Sequence, residues 1–284
     1  MAEELEIKLS LTPGALAQAH AWLSTQAGVT AGAEKTLVNR YYDTPAGDLN
    51  RQKVALRVRQ AGDRYIQTLK TQGEFVDGAH RRQEWEWPLL GADLNIGLID
   101  DTPVGQGVNL ADLAPVFESN FLRRILMLEG PRATIECALD QGSIIAGGRR
   151  RDLCELELEL KQGAPDTLLD WSRALAAQVP VFLNLISKAE QGYALAGLHR
   201  PVPLDDSEPL VNRMFHGLSR AWLSGTVDVT LVEDLDSLRQ QNSVPAAQAN
   251  ELAWLRERLD SGETIAELAA GSTRLGQLQL SLLV

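Results

Sequence analysis

The sequence predicts an α+β fold: an eight-stranded antiparallel β tunnel or barrel flanked by helices and followed by a small C-terminal all-α domain. Charged and apolar residues alternate along many short segments up to residue 161, which is the period of a β-strand. Short turns that contain Gly, Pro or Asp join most of these segments, so antiparallel pairing is expected. Beyond residue 209, apolar residues recur at helical spacing, which predicts packed helices.

Side-chain alternation and turn residues together place the elements along the chain. Thr12 followed by Pro13 is typical of a helix N-cap and first helical position. Strands are predicted at 3–11, 35–43, 53–60, 64–71, 80–87, 116–128, 132–140 and 149–161. Helices are predicted at 13–26, 92–100, 165–178 and 187–198, and we expect them to cover the apolar face of the sheet from outside.

Length and composition limit the domain organisation and the classes of partner. A chain of 284 residues allows two modest domains, and the Pro-rich acidic segment 200–209 is the predicted linker between a tunnel domain at 1–199 and a helical domain at 210–284. The net charge of −11 argues against broad binding to nucleic acid or anionic membranes. No apolar leader or long apolar span is visible, so the cytoplasm is the expected location.

The predicted strands separate charged residues from apolar ones. Successive side chains of a strand point to opposite faces, so residues of the same parity share a face. Glu4, Glu6 and Lys8 alternate with apolar residues in this way, as do the glutamates of 154–161 (CELELELK). The charged residues assigned to the same face of the sheet are Glu4, Glu6, Lys8, Arg57, Arg59, Lys70, Glu84, Glu86, Arg123 or Arg124, Glu136, Glu155, Glu157, Glu159 and Lys161.

This charged face is predicted to line the inside of the tunnel. A solvated antiparallel sheet would also alternate, but this polar face is almost purely ionic, and some strands carry only Glu there while others carry only Arg or Lys. Eight strands suffice to close a barrel around a ligand-sized interior. An interior lined with charges is costly unless it is wet or occupied.

The two signs of charge indicate the kind of ligand. A divalent cation such as Mg²⁺ binds carboxylates together with phosphate oxygens, and it would relieve repulsion among the glutamates. Arginine and lysine side chains bind phosphate groups. A metal ion with a phosphate chain is therefore the simplest ligand that satisfies the predicted interior.

The same residues resemble the CYTH superfamily, the triphosphate tunnel metalloenzymes. The hallmark Glu-x-Glu-x-Lys is found at residues 4–8. The resemblance continues through NRYYDTP (39–45), ALRVR (55–59), TLK (68–70), QEWEW (83–87), 121–124, ECALDQG (136–142), CELELEL (154–160) and SKAEQGY (187–193). It covers residues 1 to about 198, and departs from the family pattern at Gln191, where an arginine is usual.

The resemblance implies roles for individual residues. It implies metal binding by Glu4, Glu6, Glu136, Glu155, Glu157 and Glu159. It implies substrate binding by Lys8, Arg57, Arg59, Lys70, Arg123 and Lys188, with Arg123 preferred over Arg124. It implies catalytic roles for Glu4, Glu6, Lys8, Glu84 and Glu86.

The resemblance also implies an activity, hydrolysis of tripolyphosphate to pyrophosphate and phosphate with Mg²⁺ or Mn²⁺, by an inorganic triphosphatase. The expected partner is this small anionic substrate, or a nucleoside or thiamine triphosphate. Two enzymatic alternatives stay open, a class IV-type adenylate cyclase and a thiamine triphosphatase. A third alternative is a non-catalytic module that binds polyphosphate or nucleotide, which the full set of glutamates argues against.

Overall fold

The computed structural model describes residues 2–71, 74–76, 79–99, 102, 104, 107–199 and 207–283, except for the side chains of 2–4, 74–76 and 80–82. Within these residues one antiparallel sheet contains ten strands. They are β1 (Ala2–Ser10), β2 (Val29–Asp43), β3 (Ala55–Ala61), β4 (Arg64–Lys70), β5 (Glu74–Val76), β6 (Ala79–Leu89), β7 (Ala114–Glu129), β8 (Ala133–Ala146), β9 (Arg149–Gly163) and β10 (Phe182–Leu183).

Nine α-helices are found in the same described part of the chain. They are α1 (Pro13–Leu23), α2 (Asp48–Arg51), α3 (Asp166–Ala176), α4 (Lys188–Ala196), α5 (Leu210–Ser224), α6 (Val229–Arg239), α7 (Ala246–Asp260), α8 (Ile265–Gly271) and α9 (Arg274–Ser281). Helix α1 begins as predicted: the side chain of Thr12 accepts a hydrogen bond from the backbone N–H of Ala15 at 3.2 Å. None of the described helices combines the length and the apolar character needed to cross a membrane.

The sheet order is β10-β1-β9-β8-β7-β2-β3-β4-β6-β5, and β1 pairs with β6 as well as with β9. The additional pairing of β1 with β6 joins eight strands into a ring, in the order β1, β9, β8, β7, β2, β3, β4 and β6. The two short strands β10 and β5 lie outside this ring, at the two ends of the strand order, so the sheet as a whole is not a simple closed barrel. The predicted α+β class with an antiparallel sheet is confirmed. The predicted count of eight strands and the simple barrel are not exact, since two short strands that carry little alternation were not predicted.

The outer, apolar face of β1, β8 and β9 lies under helices. Ile7, Leu156 and Leu158 are at most 1% exposed and belong to one large core with residues of α1 and α3. Part of this cover comes from the C-terminal helices, whose Phe215 and Leu275 belong to the same core. The apolar core thus continues across the predicted linker 200–209, of which residues 200–206 lie outside the described part. The domain division remains a prediction.

A second apolar core lies on the outer face of β3, β4 and β6. Leu56 and Leu69 are fully buried there against Ile99 and other residues of the segment that follows β6. The helix predicted at 92–100 is wrong, because the described residues form only a 3₁₀ turn at Ile96–Leu98. A further 3₁₀ turn at Leu110–Asp112 precedes β7.

Helix α4 lies on the inner side of the sheet, which corrects the expectation that it covers the outer face. Tyr41 is opposite Arg57 in the β2–β3 register and opposite Phe117 in the β2–β7 register, so these three side chains share the inner face. Tyr193 of α4 packs edge-on against Phe117, with ring centroids 5.1 Å apart. Gly192 allows this approach, because a Cβ there would overlap the Phe117 ring.

Candidate active site

A cavity of about 420 Å³ lies on the inner face of the sheet, and charged side chains dominate its lining. Its size is within the range of ordinary small-molecule sites. The predicted residues that line it are Glu6, Lys8, Arg57, Arg59, Lys70, Glu84, Glu86, Arg123, Glu136, Glu157, Glu159 and Lys188. Of the other two predicted residues, Glu155 lies behind this cavity, and the side chain of Glu4 is outside the described part.

One wall of the cavity carries three glutamates on neighbouring strands, here called the carboxylate row: Glu6, Glu136 and Glu159. Glu6 of β1 is directly opposite Glu159 of β9, and Glu159 is directly opposite Glu136 of β8. Side chains opposite each other on one face are close neighbours. The ammonium of Lys161 lies 2.7 Å from Glu159 and 3.9 Å from Glu136.

The carboxylate row fits a divalent cation. The three carboxylates lie on adjacent strands and concentrate negative charge on this wall, and hard cations prefer such oxygen ligands. The residues of the row could therefore contribute ligands to a metal ion.

A second carboxylate cluster, here called the lysine-centred triad, consists of Asp140, Glu155 and Glu157. Their oxygens lie within 4.8 Å of one another, a spacing that could suit a metal ion. The ammonium of Lys188 fills this position instead: it lies 2.8 Å from Asp140, 2.9 Å from Glu157 and in contact with Glu155. Arg123 adds hydrogen bonds of 2.7 Å to Asp140 and Glu157.

Burial and ion pairing set the pKa values in this triad. Burial raises the pKa of Glu155 to about 7, against the effect of Lys188. Burial would also raise the pKa of Glu157, but Lys188 and Arg123 hold it well below its usual range. Burial would lower the pKa of Lys188, yet the attraction of Asp140 and the two glutamates raises it. Lys188 therefore stays charged, and its ammonium occupies the position between the three carboxylates.

The opposite wall is basic. Strand β3, which carries Arg57 and Arg59, is four strands from β9 in either direction around the ring. Lys70 lies 2.9 Å and Arg57 3.9 Å from Glu84. The Nε of Arg57 is buried without a hydrogen-bond acceptor among the described residues. The second carboxylate on this side, Glu86, accepts a 3.4 Å hydrogen bond from Thr68.

Arg59 is the least neutralised cation on this wall. Its Nε donates to the Oδ1 of Asn39 at 2.8 Å, and no carboxylate of the described residues lies within 4 Å of it. Burial, followed by repulsion from Arg57 and Arg123, lowers the pKa of Arg59 to about 9. An anion placed between these guanidiniums would relieve that repulsion.

Lys8 lies at the junction of the two carboxylate groups. It is opposite Glu157 in the β1–β9 register and only 3% exposed. Burial lowers its pKa, and the attraction of Glu155 and Glu6 offsets this only in part. A phosphate group in the cavity would therefore find Lys8 beside the carboxylate row.

The structure shows which of the neighbouring residues Arg123 and Arg124 lines the cavity. It also places at the site two residues that were not predicted. Arg123 lines the cavity, whereas Arg124 is 45% exposed and pairs with Glu34. Asp140 and Tyr41 were missed. Parity could have found Asp140, which follows Glu136 by four residues on the same strand. Tyr41 could not be found in this way, because charged and apolar residues do not alternate regularly around it.

The fold and the site define a class of protein, a β-sheet that surrounds a cavity with a carboxylate wall and an arginine wall. The CYTH domain family matches residues 2–193, and the chain belongs to this family. An inorganic triphosphatase of Haemophilus influenzae is 34% identical over 197 residues, which is 69% of this chain. The chain spans 55% of the length of that relative.

Among solved structures with a similar fold is a Hippeastrum protein that was suggested to be an adenylyl cyclase and is described as having a dominant triphosphatase activity. The two superpose with a TM-score of 0.51 at 18% identity, over 67% of this chain and 95% of the other. This similarity supports the fold, and it agrees with the family membership.

Proposed function

We propose that this protein is a metal-dependent inorganic triphosphatase that hydrolyses tripolyphosphate to pyrophosphate and phosphate. The observation that carries the proposal is the division of one cavity into a carboxylate row (Glu6, Glu136, Glu159) and a basic wall on which Arg59 has no carboxylate partner among the described residues. A phosphate chain bridged to a metal ion satisfies both walls at once. The activity of the Haemophilus relative agrees with this choice of substrate.

Each wall has a separate task in this proposal. The carboxylate row would hold Mg²⁺ or Mn²⁺. When bound, this ion would neutralise negative charge on the terminal phosphate group. Arg57, Arg59 and Lys8 would bind the phosphate oxygens by charge-assisted hydrogen bonds. Arg123 contributes less to binding, because Asp140 and Glu157 already occupy its guanidinium.

The reaction is the hydrolysis of one phosphoanhydride bond. A water oxygen forms a bond to the terminal phosphorus, and the bond from that phosphorus to the bridging oxygen breaks. A carboxylate of the row accepts a proton from the water, and pyrophosphate leaves with the bridging oxygen. Arg57 and Arg59 stabilise the negative charge that develops on the leaving group.

A phosphate-release assay tests this function. Tripolyphosphate, thiamine triphosphate, ATP and pyrophosphate are compared with Mg²⁺ and with Mn²⁺, and cyclic AMP is measured in parallel. We expect tripolyphosphate to give the highest kcat/KM. Cyclic AMP as the main product from ATP, or no phosphate release from any substrate by folded protein, would overturn the proposal.

Arg59→Gln tests the basic wall, and Arg124→Gln is its matched control on the outer surface. A hydrogen bond to a charged group contributes about 1.5–3 kcal/mol, so we expect Arg59→Gln to lower kcat/KM for tripolyphosphate by at least about tenfold. Arg124→Gln should keep the wild-type value, since Arg124 is exposed. Equal values for both variants would place the substrate elsewhere.

A further inference from the structure

A second cavity, of about 510 Å³, lies behind the active-site cavity where β1 ends, and is here called the rear cavity. Its lining comes from the end of β1, from β9, from Gln191 of α4 and from Trp222 and Ala269 of the C-terminal helices. It has no lining residue in common with the active-site cavity. Nothing in the proposed hydrolysis uses it.

Buried polar groups without partners line the rear cavity. Gln191 is 1% exposed, and neither its amide nitrogen nor its amide oxygen has a hydrogen-bond partner among the described residues. Glu155 is also 1% exposed; its Oε1 contacts Lys188, while its Oε2 has no donor. A buried polar group without a partner is destabilising, so a ligand that hydrogen-bonds to these atoms should bind more tightly than one that leaves them unpaired.

The charge of the rear cavity selects against anions. Asp152 and Arg150 line it too, and their side chains are exposed and lie 3.7 Å apart, so they largely offset each other. Deeper in, the three carboxylates of the lysine-centred triad directly contact two cations among the described residues, Lys188 and Arg123. The inner end of the rear cavity therefore favours a positively charged hydrogen-bond donor.

The lining also has an apolar and aromatic part, beside the polar residues Ser10, Thr12 and Gln141. Phe182 and Trp222 stack with ring centroids 6.2 Å apart, and Ala269 and neighbouring alanines of α8 add a small aliphatic surface. Such a wall suits a short branched hydrocarbon.

From these features we infer that the rear cavity binds a small organic amine that carries a neighbouring hydroxyl and a short apolar body. The ammonium donates hydrogen bonds to Glu155 Oε2 and to the amide oxygen of Gln191. The hydroxyl oxygen accepts from the amide nitrogen of Gln191, and the hydrocarbon packs against Trp222 and Ala269. All the unpaired atoms of Gln191 and Glu155 then have partners.

Titration of the full chain with L-valinol, followed by NMR, tests this inference. The indole N–H signal of Trp222 is the readout, assigned with Trp222→Phe. We expect a saturable shift with valinol. Binding of 3-methyl-1-butanol, which lacks the amine, and of valine, which adds a carboxylate, should be weaker by about tenfold or more, because each loses or opposes the charged hydrogen bond to Glu155.

Variants of the protein separate a specific site from an apolar crevice. Gln191→Leu and Ala269→Leu should each weaken valinol binding by about tenfold, the first by removing the amide and the second by filling the cavity. Ala247→Leu, an exposed alanine of α7, is the matched control and should bind as wild type. Equal binding of valinol and 3-methyl-1-butanol, or no saturable shift because only water occupies the cavity, would overturn the inference.

Discussion

At the scale of single residues, the site separates two groups of glutamates that look alike in the sequence. Glu157 and Glu159 are two positions apart on one face of β9, yet Glu157 contacts Lys188 and Arg123 while Glu159 belongs to the carboxylate row. The surroundings of the two glutamates differ because of the neighbouring strands and α4. We therefore expect substitutions in the carboxylate row and in the lysine-centred triad to have different effects.

Glu159→Gln should remove metal-dependent activity without unfolding the protein, because it removes one charge from the carboxylate row and keeps the side-chain shape. We expect a loss of kcat of at least about tenfold, equivalent to ~1.4 kcal/mol, and a higher Mg²⁺ or Mn²⁺ concentration for half-activation. Phosphate release over a metal titration measures both. Glu129→Gln, an exposed glutamate of β7, is the control. Unchanged half-activation in Glu159→Gln would contradict the assignment of the row.

Lys188→Met should destabilise the fold, because it leaves the carboxylates of Asp140, Glu155 and Glu157 with one cation fewer. Breaking a buried ion pair costs about 3–5 kcal/mol, which denaturant unfolding measures. The double variant Lys188→Met/Glu155→Gln should recover part of this loss, since it removes one unpaired charge. Lys161→Met, whose lysine is 37% exposed, should cost less than about 1 kcal/mol. A double variant as unstable as the sum of the two single ones would contradict this account of Lys188.

At the scale of elements, α4 decides how the sheet interior is divided. The helix begins with a capping box between Ser187 and Glu190. Its first turn carries Lys188 into the ionic part of the interior, while Tyr193 and Gly192 pack in the aromatic part. The position of Lys188 therefore depends on close contact between α4 and β7.

Gly192→Ala should destabilise the protein, although alanine is the better helix former by roughly 1 kcal/mol. The added Cβ would overlap the Phe117 ring, and this buried ring cannot move without displacing Tyr41, on which it stacks at 4.4 Å. Gly14→Ala in α1 is the matched control, because nothing lies within 4 Å of the added Cβ. Thermal unfolding should show a lower Tm for the first variant and an equal or higher Tm for the second. A Gly192→Ala protein as stable as wild type would show that α4 can shift.

At the scale of the whole molecule, the C-terminal helices and the sheet share one apolar core. Gln279 makes two 2.9 Å hydrogen bonds to the backbone of Leu183 in β10, and Ser219 accepts one from the N–H of Leu185. Gly276 packs so closely on Val181 that a side chain there would overlap its carbonyl. Both apolar and polar contacts therefore join residues 181–185 to the C-terminal helices.

A chain that ends at residue 199 should be much less stable than the full chain. Truncation would expose buried residues such as Phe182 and Leu183, and each such side chain contributes roughly 1.5–3 kcal/mol when buried. We expect the Tm to fall by about 10 °C or more, at roughly 2–4 °C for each kcal/mol, or the protein to aggregate. Scanning calorimetry of both chains measures this. An unchanged Tm would support the predicted division into two independent domains.

The sequence alone was sufficient for the fold class and for most of the charged residues that line the cavity. The alternation of side chains along a strand is a local property. In each strand it places the charged residues opposite the apolar ones, so the face that carries charge could be predicted before the strands were paired. Residues assigned in this way are Glu6, Lys8, Arg57, Arg59 and Glu159. Cap and turn residues likewise located α1 and the β3–β4 hairpin. The short strands β5 and β10 could not be predicted, because two or three residues carry too little alternation.

Only the tertiary structure decided which charges meet. Register joins strands that are far apart in the chain, as for Glu6 of β1 and Glu159 of β9, and no local pattern encodes it. Helix α4 has an apolar side that could pack on either face of the sheet, and it packs on the inner one because Gly192 fits against Phe117. That choice places Lys188 among Asp140, Glu155 and Glu157, whereas we propose that the carboxylate row holds a metal ion.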